Sequence, residues 1–454
     1  DGVAAARLLW EDGFLVTICL IGNEEHASEE MKKQLAIVRK LGLHICTGLP
    51  SGEYDVILDA IFGIGLSREI AGEFADAVNW INEQDALRFA VDIPSGVNAT
   101  TGEILAVAAA ADFTITFGTN KRGIVLFPGC NYAGTVIVSD IGFPKKAVEE
   151  IRPRAYTLTR QDAMELMPPR ILRSNKGSYG KVLVIAGSAE ISGACYLCAA
   201  AAGRMGSGLV KVFTAAENST VIRTRLPEAL VATYDSTLDY SQPENRLELS
   251  GRLQEEIKWA SCIVIGPGIG TKEPAGILLT EVLKEKNKAI VIDADGLNVL
   301  SGKDEYFVER EDGTRKLALS ANVVLTPHLQ EMTRLTRFEL PLIRARIVDQ
   351  ALLALECANG QTLVLKDART VVTDGGEVYI NTTGNNALST GGTGDVLTGM
   401  IAGLLAQGMR PKRAAVLAVC LHGIAADEYV RDRGGRYSMI ASDLLDMLPQ
   451  ILPK

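Results

Sequence analysis

Nothing in the sequence offers a nucleic acid a footing. Lysine and arginine total 46 against 55 acidic residues, a formal charge of −9, and no basic cluster reverses that sign locally. Long apolar runs are lacking too, since none reaches the roughly 18–20 residues that span a bilayer. No signal-peptide pattern is found, so the expectation is a cytoplasmic protein with no membrane partner. Cysteine is scarce and scattered. Its eight positions (Cys19, Cys46, Cys130, Cys195, Cys198, Cys262, Cys357 and Cys420) make no disulfide framework, and most sit in apolar runs, as buried free thiols do. Cys195 and Cys198 form a C-x-x-C, but inside the alanine-rich helical stretch CYLCAAAAG and without partner ligands, so core packing outweighs a zinc or redox role. The common nucleotide loops are missing as well. GSAEISGA (187–194) follows a strand, yet no G-K-S/T closes it, and no G-x-G-x-x-G of the dinucleotide type precedes a helix.

What is there reads as an α/β chain of two domains. A length of 454 residues exceeds one ordinary core, and 47% hydrophobic with 22% charged residues is the composition of a soluble globular enzyme. Strands are expected in LVTICLIG (15–22), YDVILDAIFG (54–63), RFAVDIPSG (88–96), ADFTITFG (111–118) and TVIVSDIG (135–142), with helical spacing between them. Residues 143–180 are rich in charge and proline and carry no strand pattern, which puts a boundary near 150–165 and the domains at 1–155 and 156–454. Strands resume in KVLVIAGS (181–188), LVKVFTA (209–215), CIVIGPGIG (262–270), AIVIDADG (289–296), NVVLTPH (322–328) and TLVLKDARTVVTDG (362–375). A surface hairpin or loop is expected at 305–318. Continuous apolar strands joined by helices imply parallel sheets covered on both faces.

Nearly every strand of the second half ends in glycine or polar residues: AGS, GPGIG, DADG, TPH, LKD. In open α/β sheets ligands bind beyond the carboxyl ends of the strands, so the site is expected there. GPGIG allows close backbone approach, although a tight turn explains it equally well. In TPHLQE, His328 sits where ligands bind; a helix entry with Thr326 as cap and Glu331 as first-turn acid is the competing reading. KDART suits a diphosphate about as well as it suits an exposed β-turn. The strongest element is NTTGNNALSTGGTGDVLTG (381–399), whose glycines exceed what a helix cap needs. A helix opening there aims N–H groups at an anion, yet Asp395 would repel that guest. The acid makes sense as a base that takes a proton from an alcohol attacking the bound phosphate.

GGTGD-x-L-x-G after G-N-x-A-L, with GPG-x-G, TPH-x-x-E and a strand-ending lysine, resembles the ribokinase-like superfamily. More narrowly it resembles the ADP-dependent NAD(P)H-hydrate dehydratases, over about residues 160–454. DGVAAARLL (1–9), DAIFGIGLSRE (59–69), DIPSGVNATTG (92–102) and TFGTNKRGIVLFPG (116–129) resemble the NAD(P)H-hydrate epimerase commonly fused ahead of that dehydratase. The resemblance implies a Rossmann-like three-layer epimerase domain followed by a ribokinase-like α/β domain. It departs in two places: the family's N-N-G-G-D-G is met only in its last two residues, Asp1 and Gly2, and TPHLQE stands for TPHPGE.

Carried over motif by motif, the resemblance makes Asp59 the epimerase acid/base and, with Ser95, a potassium ligand. Gly63, Ile64, Gly65, Leu66, Ser67, Arg68, Glu69 and Asp92 would meet the hydrated nucleotide. In the second domain Ala194, Gly268, His328 and Asp395 would face the same substrate, with Asp395 the base. Lys366, Asp367, Ala368, Arg369, Thr370 and Gly394 would bind ADP or its product AMP. The implied cofactors are ADP as phosphate donor, Mg2+ and K+; the implied partners are NADHX and NADPHX, and a second copy of the chain in a homo-oligomer. Two rivals remain open: a small-molecule kinase of the same superfamily acting on a thiazole or pyrimidine alcohol, and a non-catalytic binding or assembly role for the first domain.

Overall fold

The computed structural model describes residues 1–151, 153–356 and 360–453, so the expected free thiol Cys357 lies outside the described residues. The chain divides into two compact units, Asp1–Arg152 and Pro153–Lys454. In the first, β1 (Thr17–Cys19) and β2 (His44–Cys46) form a separate parallel pair. Strands β3 (Val56–Asp59), β4 (Leu87–Val91), β5 (Phe113–Phe117) and β6 (Thr135–Ser139) form a parallel sheet in that order. The strand expected over 15–22 is thus shorter, and β2 went unread because three residues carry less than two periods of alternation.

Helix α1 (Gly2–Glu11) begins against the residue after Asp59: a side chain at Gly2 would meet Ala60 Cβ at 2.5 Å. Helix α2 (Glu29–Leu41) starts where Ser28 Oγ accepts the Met31 N–H at 3.2 Å, and stops at Gly42 with φ +78°. Its buried Leu35 and Val38 pack with Val3 and Ile18. Helix α3 (Glu73–Glu83) buries Val78 and Ile81 against Ile57 of β3.

The second unit is built on one ten-stranded sheet. Its strands are β7 (Ala155–Tyr156), β8 (Lys181–Ile185), β9 (Leu209–Ala215), β10 (Leu230–Tyr234), β11 (Cys262–Ile265), β12 (Ala289–Ile292), β15 (Val323–Leu325), β16 (Thr362–Leu365), β17 (Val371–Thr373) and β18 (Val378–Ile380). The order is β10-β9-β8-β11-β12-β15-β16-β17-β18-β7. The strands β13 (Phe307–Glu309) and β14 (Arg315–Leu317) form the expected antiparallel hairpin apart from it.

Two expectations need correction. The sheet is not parallel throughout, because β16–β17 and β17–β18 are antiparallel; the KDART connection is too short for the crossover a parallel pair requires. The segment 143–180 also carries a strand, β7, which adds to the far edge by pairing Ala155 with Val378 and Tyr156 with Tyr379. Two residues give no pattern to read.

Helix α4 (Gly193–Arg204) holds Cys195 and Cys198, both buried and free. Helices α5 (Leu329–Thr336), α6 (Thr393–Ala406), α7 (Pro411–Arg433) and α8 (Ala441–Ile451) follow. A side chain at Gly399 of α6 would meet Cys198 O at 2.1 Å, and one at Gly403 would meet Ala202 O at 2.7 Å. Glycine there lets α6 lie directly on the backbone of α4, fixing the start of α6 above the strand ends. The C-x-x-C is accordingly part of a helix contact. Among the described residues no helix is long and apolar enough to cross a membrane.

Candidate active sites, one in each unit

In the first unit Asp59 ends β3 and is 2% exposed. Ser95, in the loop after β4, clamps it: the Ser95 N–H donates to Oδ2 at 2.7 Å and the Ser95 hydroxyl to Oδ1 at 2.6 Å. The same hydroxyl accepts the Phe62 N–H at 2.9 Å, tying both residues to the loop after β3. Burial pushes the Asp59 carboxyl up, and the Ser95 and Ile61 donors oppose it without cancelling it. The loop Gly63–Glu69 is largely exposed beside this pair, with Ile64 60% exposed.

Asp92 takes a left-handed backbone, φ +70°, a conformation that costs a non-glycine residue about 1 kcal/mol or more and collects at functional sites. Its Oδ1 accepts from Lys121 Nζ at 2.5 Å, the Phe117 N–H at 3.1 Å and the Thr116 hydroxyl at 3.2 Å. Sequence reasoning passed over Lys121, although a lysine four residues after β5 was the available signal.

The second unit gathers its candidates at the carboxyl ends of β11, β12, β15 and β16. Gly268 follows β11 with φ +64°, and a side chain there would strike Ile191 Cγ2 at 2.7 Å and Ala194 Cβ at 3.1 Å. The two positions expected to face substrate are therefore neighbours. His328 follows β15 and bridges to Lys366, which follows β16; the Lys366 N–H donates to Pro327 O at 2.8 Å. His328, not Thr326, caps α5. Its Nδ1 accepts the Gln330 and Glu331 N–H groups at 3.1 and 3.3 Å, while Glu331 Oε2 accepts the His328 N–H at 2.8 Å. Thr326 is unavailable because its hydroxyl faces the sheet and donates to Ile292 O at 3.3 Å. Within KDART, Asp367 and Ala368 are exposed at the chain reversal and Thr370 donates to Asp367 O at 3.3 Å. No hydrogen bond or ion pair draws Asp367 or Ala368 toward Gly394.

Asp395 lies in the first turn of α6, where Gly392 is the N-cap and no side chain makes a capping bond. Among the described residues Asp395 accepts no hydrogen bond, so capping does not account for it. Beside it stands a group that sequence reading missed. Asp293, one residue beyond β12 and 1% exposed, accepts from Lys366 Nζ through Oδ1 at 2.8 Å and from the Thr398 hydroxyl through Oδ2 at 2.7 Å. A Cβ at Gly394 would lie 3.3 Å from Lys366 Nζ, which puts that ammonium at the mouth of α6. Ala294, at φ +47°, separates Asp293 from Asp295, whose Oδ2 accepts the Gly270 N–H at 2.9 Å. The signal in the sequence was DADG, two acids at a strand end.

Charge is concentrated here. Burial first, then the Asp293 carboxylate, pushes Asp395 up to about 7 against the pull of Lys366. Glu331 is likewise pushed up to about 7 by burial, Lys366 opposing. Lys366 is depressed by burial but raised more by Asp293 and Glu331, so it stays an ammonium. Behind the helix start, buried His422 of α7 is pushed down to about 4, chiefly by burial, and its Nε2 sits 3.0 Å from Thr393 O. The arrangement can hold an anion at the N–H groups of α6, neutralise it with Lys366, and take up a proton on Asp395.

Comparison with known proteins bears on both units. Residues 182–450 match the family described as NAD(P)H-hydrate dehydratase, and residues 1–123 the family described as YjeF-related protein N-terminus. The chain is 35% identical to the bifunctional NAD(P)H-hydrate repair enzyme of Thermofilum pendens, over 100% of this chain and 85% of that protein. The enzyme of the same name from Moorella thermoacetica gives the same identity and coverage. Among solved structures, an ADP/ATP-dependent NAD(P)H-hydrate dehydratase from Bacillus subtilis, co-crystallised with ATP and Mg2+, is 30% identical over 64% of this chain and 96% of that one, with a TM-score of 0.53. A ribokinase-like superfamily protein from Enterococcus faecalis is 28% identical over 65% and 94%, with a TM-score of 0.55.

Proposed function

We propose that this chain, which belongs to the family of bifunctional NAD(P)H-hydrate repair enzymes, returns hydrated NADH and NADPH to their working forms. The first unit interconverts the R and S hydrates. The second dehydrates the S form with ADP, leaving NAD(P)H, AMP and phosphate. The match to these enzymes runs through both halves of the chain, which disfavours the kinase rival.

Hydroxide is a poor leaving group, so the second reaction first makes it a good one. Asp395 accepts the proton of the hydrate's hydroxyl as that oxygen attacks the terminal phosphorus of ADP and AMP departs. The C–O bond to phosphate then breaks and the neighbouring ring carbon loses a proton to solvent, which restores the dihydronicotinamide ring. The N–H groups at the start of α6 and the Lys366 ammonium receive the phosphate charge, with Gly394 leaving the backbone open to it. Ala194, Gly268 and His328 border the nicotinamide, and the turn Lys366–Thr370 carries the nucleotide. The observation that supports this most is the Asp395 carboxyl, which accepts no hydrogen bond among the described residues, at a helix start where a lysine ammonium also stands. Mg2+ would arrive with the nucleotide and offset the negative charge of its phosphates.

In the first unit Asp59 exchanges the proton that epimerisation moves, and Asp92 and the loop Gly63–Glu69 hold the hydrated nucleotide. The Asp59 carboxylate, the Ser95 hydroxyl and Phe62 O (3.4 Å from Ser95 Oγ) converge as an all-oxygen set, which suits a hard cation such as K+; bound there, K+ would supply fixed positive charge beside the carboxylate. The family reading also carries a homo-oligomer working in the cytoplasm. The test is stoichiometric. Pure S-hydrate with ADP should yield reduced nicotinamide, AMP and phosphate in equal amounts, whereas a stable phosphorylated product without recovered nicotinamide absorbance would favour the kinase.

A further inference from the structure

The Lys366 ammonium interacts with both Asp293 and Asp395, yet among the described residues it hydrogen-bonds only to Asp293. The difference is built into the backbone. The Asp293 backbone is packed and bonded: its N–H donates to Ile265 O at 3.1 Å, and a Cβ at Gly266 would lie 1.8 Å from its carbonyl oxygen. Thr398, one turn along α6 from Asp395, fixes the second carboxylate oxygen. Resting on the assignment of Asp395 as the base, we propose that Asp293 is a positioning residue of the dehydratase site. It holds the Lys366 ammonium at the phosphate-binding end of α6 and so leaves the Asp395 carboxylate unpaired to take the substrate's proton.

The groups around Asp395 bear this out chemically. Asp293 and Asp295 face it from beyond β12 and raise its proton affinity, and Lys366 faces it from beyond β16 and lowers it. Cys195 and Cys198 of α4 feel its charge as thiols held neutral by burial. Glu331 and His328 of α5 act on Lys366 from the other side, and His422 of α7 stays neutral behind Thr393. Neutralising Asp293 removes one repulsive charge and loosens the lysine, which then interacts more fully with the remaining carboxylates, Glu331 and Asp395. A base in an ion pair is a weaker base.

The test is Asp293→Asn in the full chain. The amide keeps the shape and can donate to Thr398 Oγ1, but as a neutral acceptor it holds the Lys366 ammonium far less tightly than the carboxylate does. The acid limb of the kcat profile for S-hydrate should move down by about one pH unit or more, with a lower plateau. ADP affinity without divalent ions, which falls as Asp395 ionises, should show the same displacement even if turnover is lost. Limbs that stay at the wild-type pH in both measurements overturn the proposal. Asp395→Asn separates the two readings: wild-type turnover in that variant removes the base assignment itself, whereas lost turnover with an unmoved Asp293→Asn limb removes only the positioning role. A crystal structure of the unaltered protein above pH 8 needs no variant. Lys366 bonded to Asp293 is expected, and Lys366 bonded to Asp395 contradicts it.

Discussion

Asp59 and Asp395 are both acids at the carboxyl ends of parallel strands, both pushed up by burial, and they are held in opposite ways. Asp59 is gripped by a hydroxyl and two backbone N–H groups, which pull its proton affinity back down. Among the described residues nothing hydrogen-bonds to Asp395, and a second carboxylate pushes it further up while claiming the lysine that would have relieved it. The contrast teaches that burial alone does not define a buried acid. A clamped carboxylate has its direction fixed and suits precise proton exchange on one small group. An open one is free to meet a substrate that brings its own charge.

The largest effect should come from Asp395→Asn. Losing a positioned base costs ~10²–10⁴ in rate, while nucleotide binding survives or improves because a negative charge beside the phosphates is gone. Stopped assays of nicotinamide recovery, with calorimetric ADP titration, check both halves. Turnover near wild type in a folded variant would place Asp395 with the structural acids and break the comparison.

Ser95→Ala should have a middling effect. It deletes the hydroxyl donor to Asp59, and a hydrogen bond to a charged group is worth about 1.5–3 kcal/mol. Epimerisation should fall and its acid limb should move to higher pH, because a donor that favoured the carboxylate is lost, while dehydration of S-hydrate is unchanged. Following R-hydrate loss across pH decides it.

The last effect is on stability and leaves the chemistry aside. Asp395 keeps its proton in the folded protein up to about 7, whereas the unfolded chain releases it near the ordinary carboxylate value of 3.8. The folded state therefore binds more protons across that window, and wild type should lose stability relative to Asp395→Asn as pH rises from about 4 to 7, then hold a constant difference. Paired melting curves at several pH values would show it; parallel curves would mean that Asp395 is ionised throughout.

The two sites were unequally legible in the sequence. Asp395 stood out because four glycines around an acid exceed any cap, and Lys366 because it ends an apolar strand. Asp293 did not, because its role depends on β12, β16 and α6 meeting, and DADG read as one more strand end. The competing helix-entry reading took Thr326 as the cap of α5 because threonine is the commoner cap; only the sheet reveals that its hydroxyl is already engaged. Strands as short as β2 and β7 exist through pairing with neighbours distant in sequence, and no local pattern encodes them.

The central claim is that two carboxylates in two units do two separate jobs. Asp59→Asn, assayed in one preparation with pure R-hydrate and pure S-hydrate plus ADP, tests it most directly. Conversion of the R-hydrate should stop while the S-hydrate is dehydrated at the wild-type rate. Loss of both activities in a protein that melts as wild type does would contradict it.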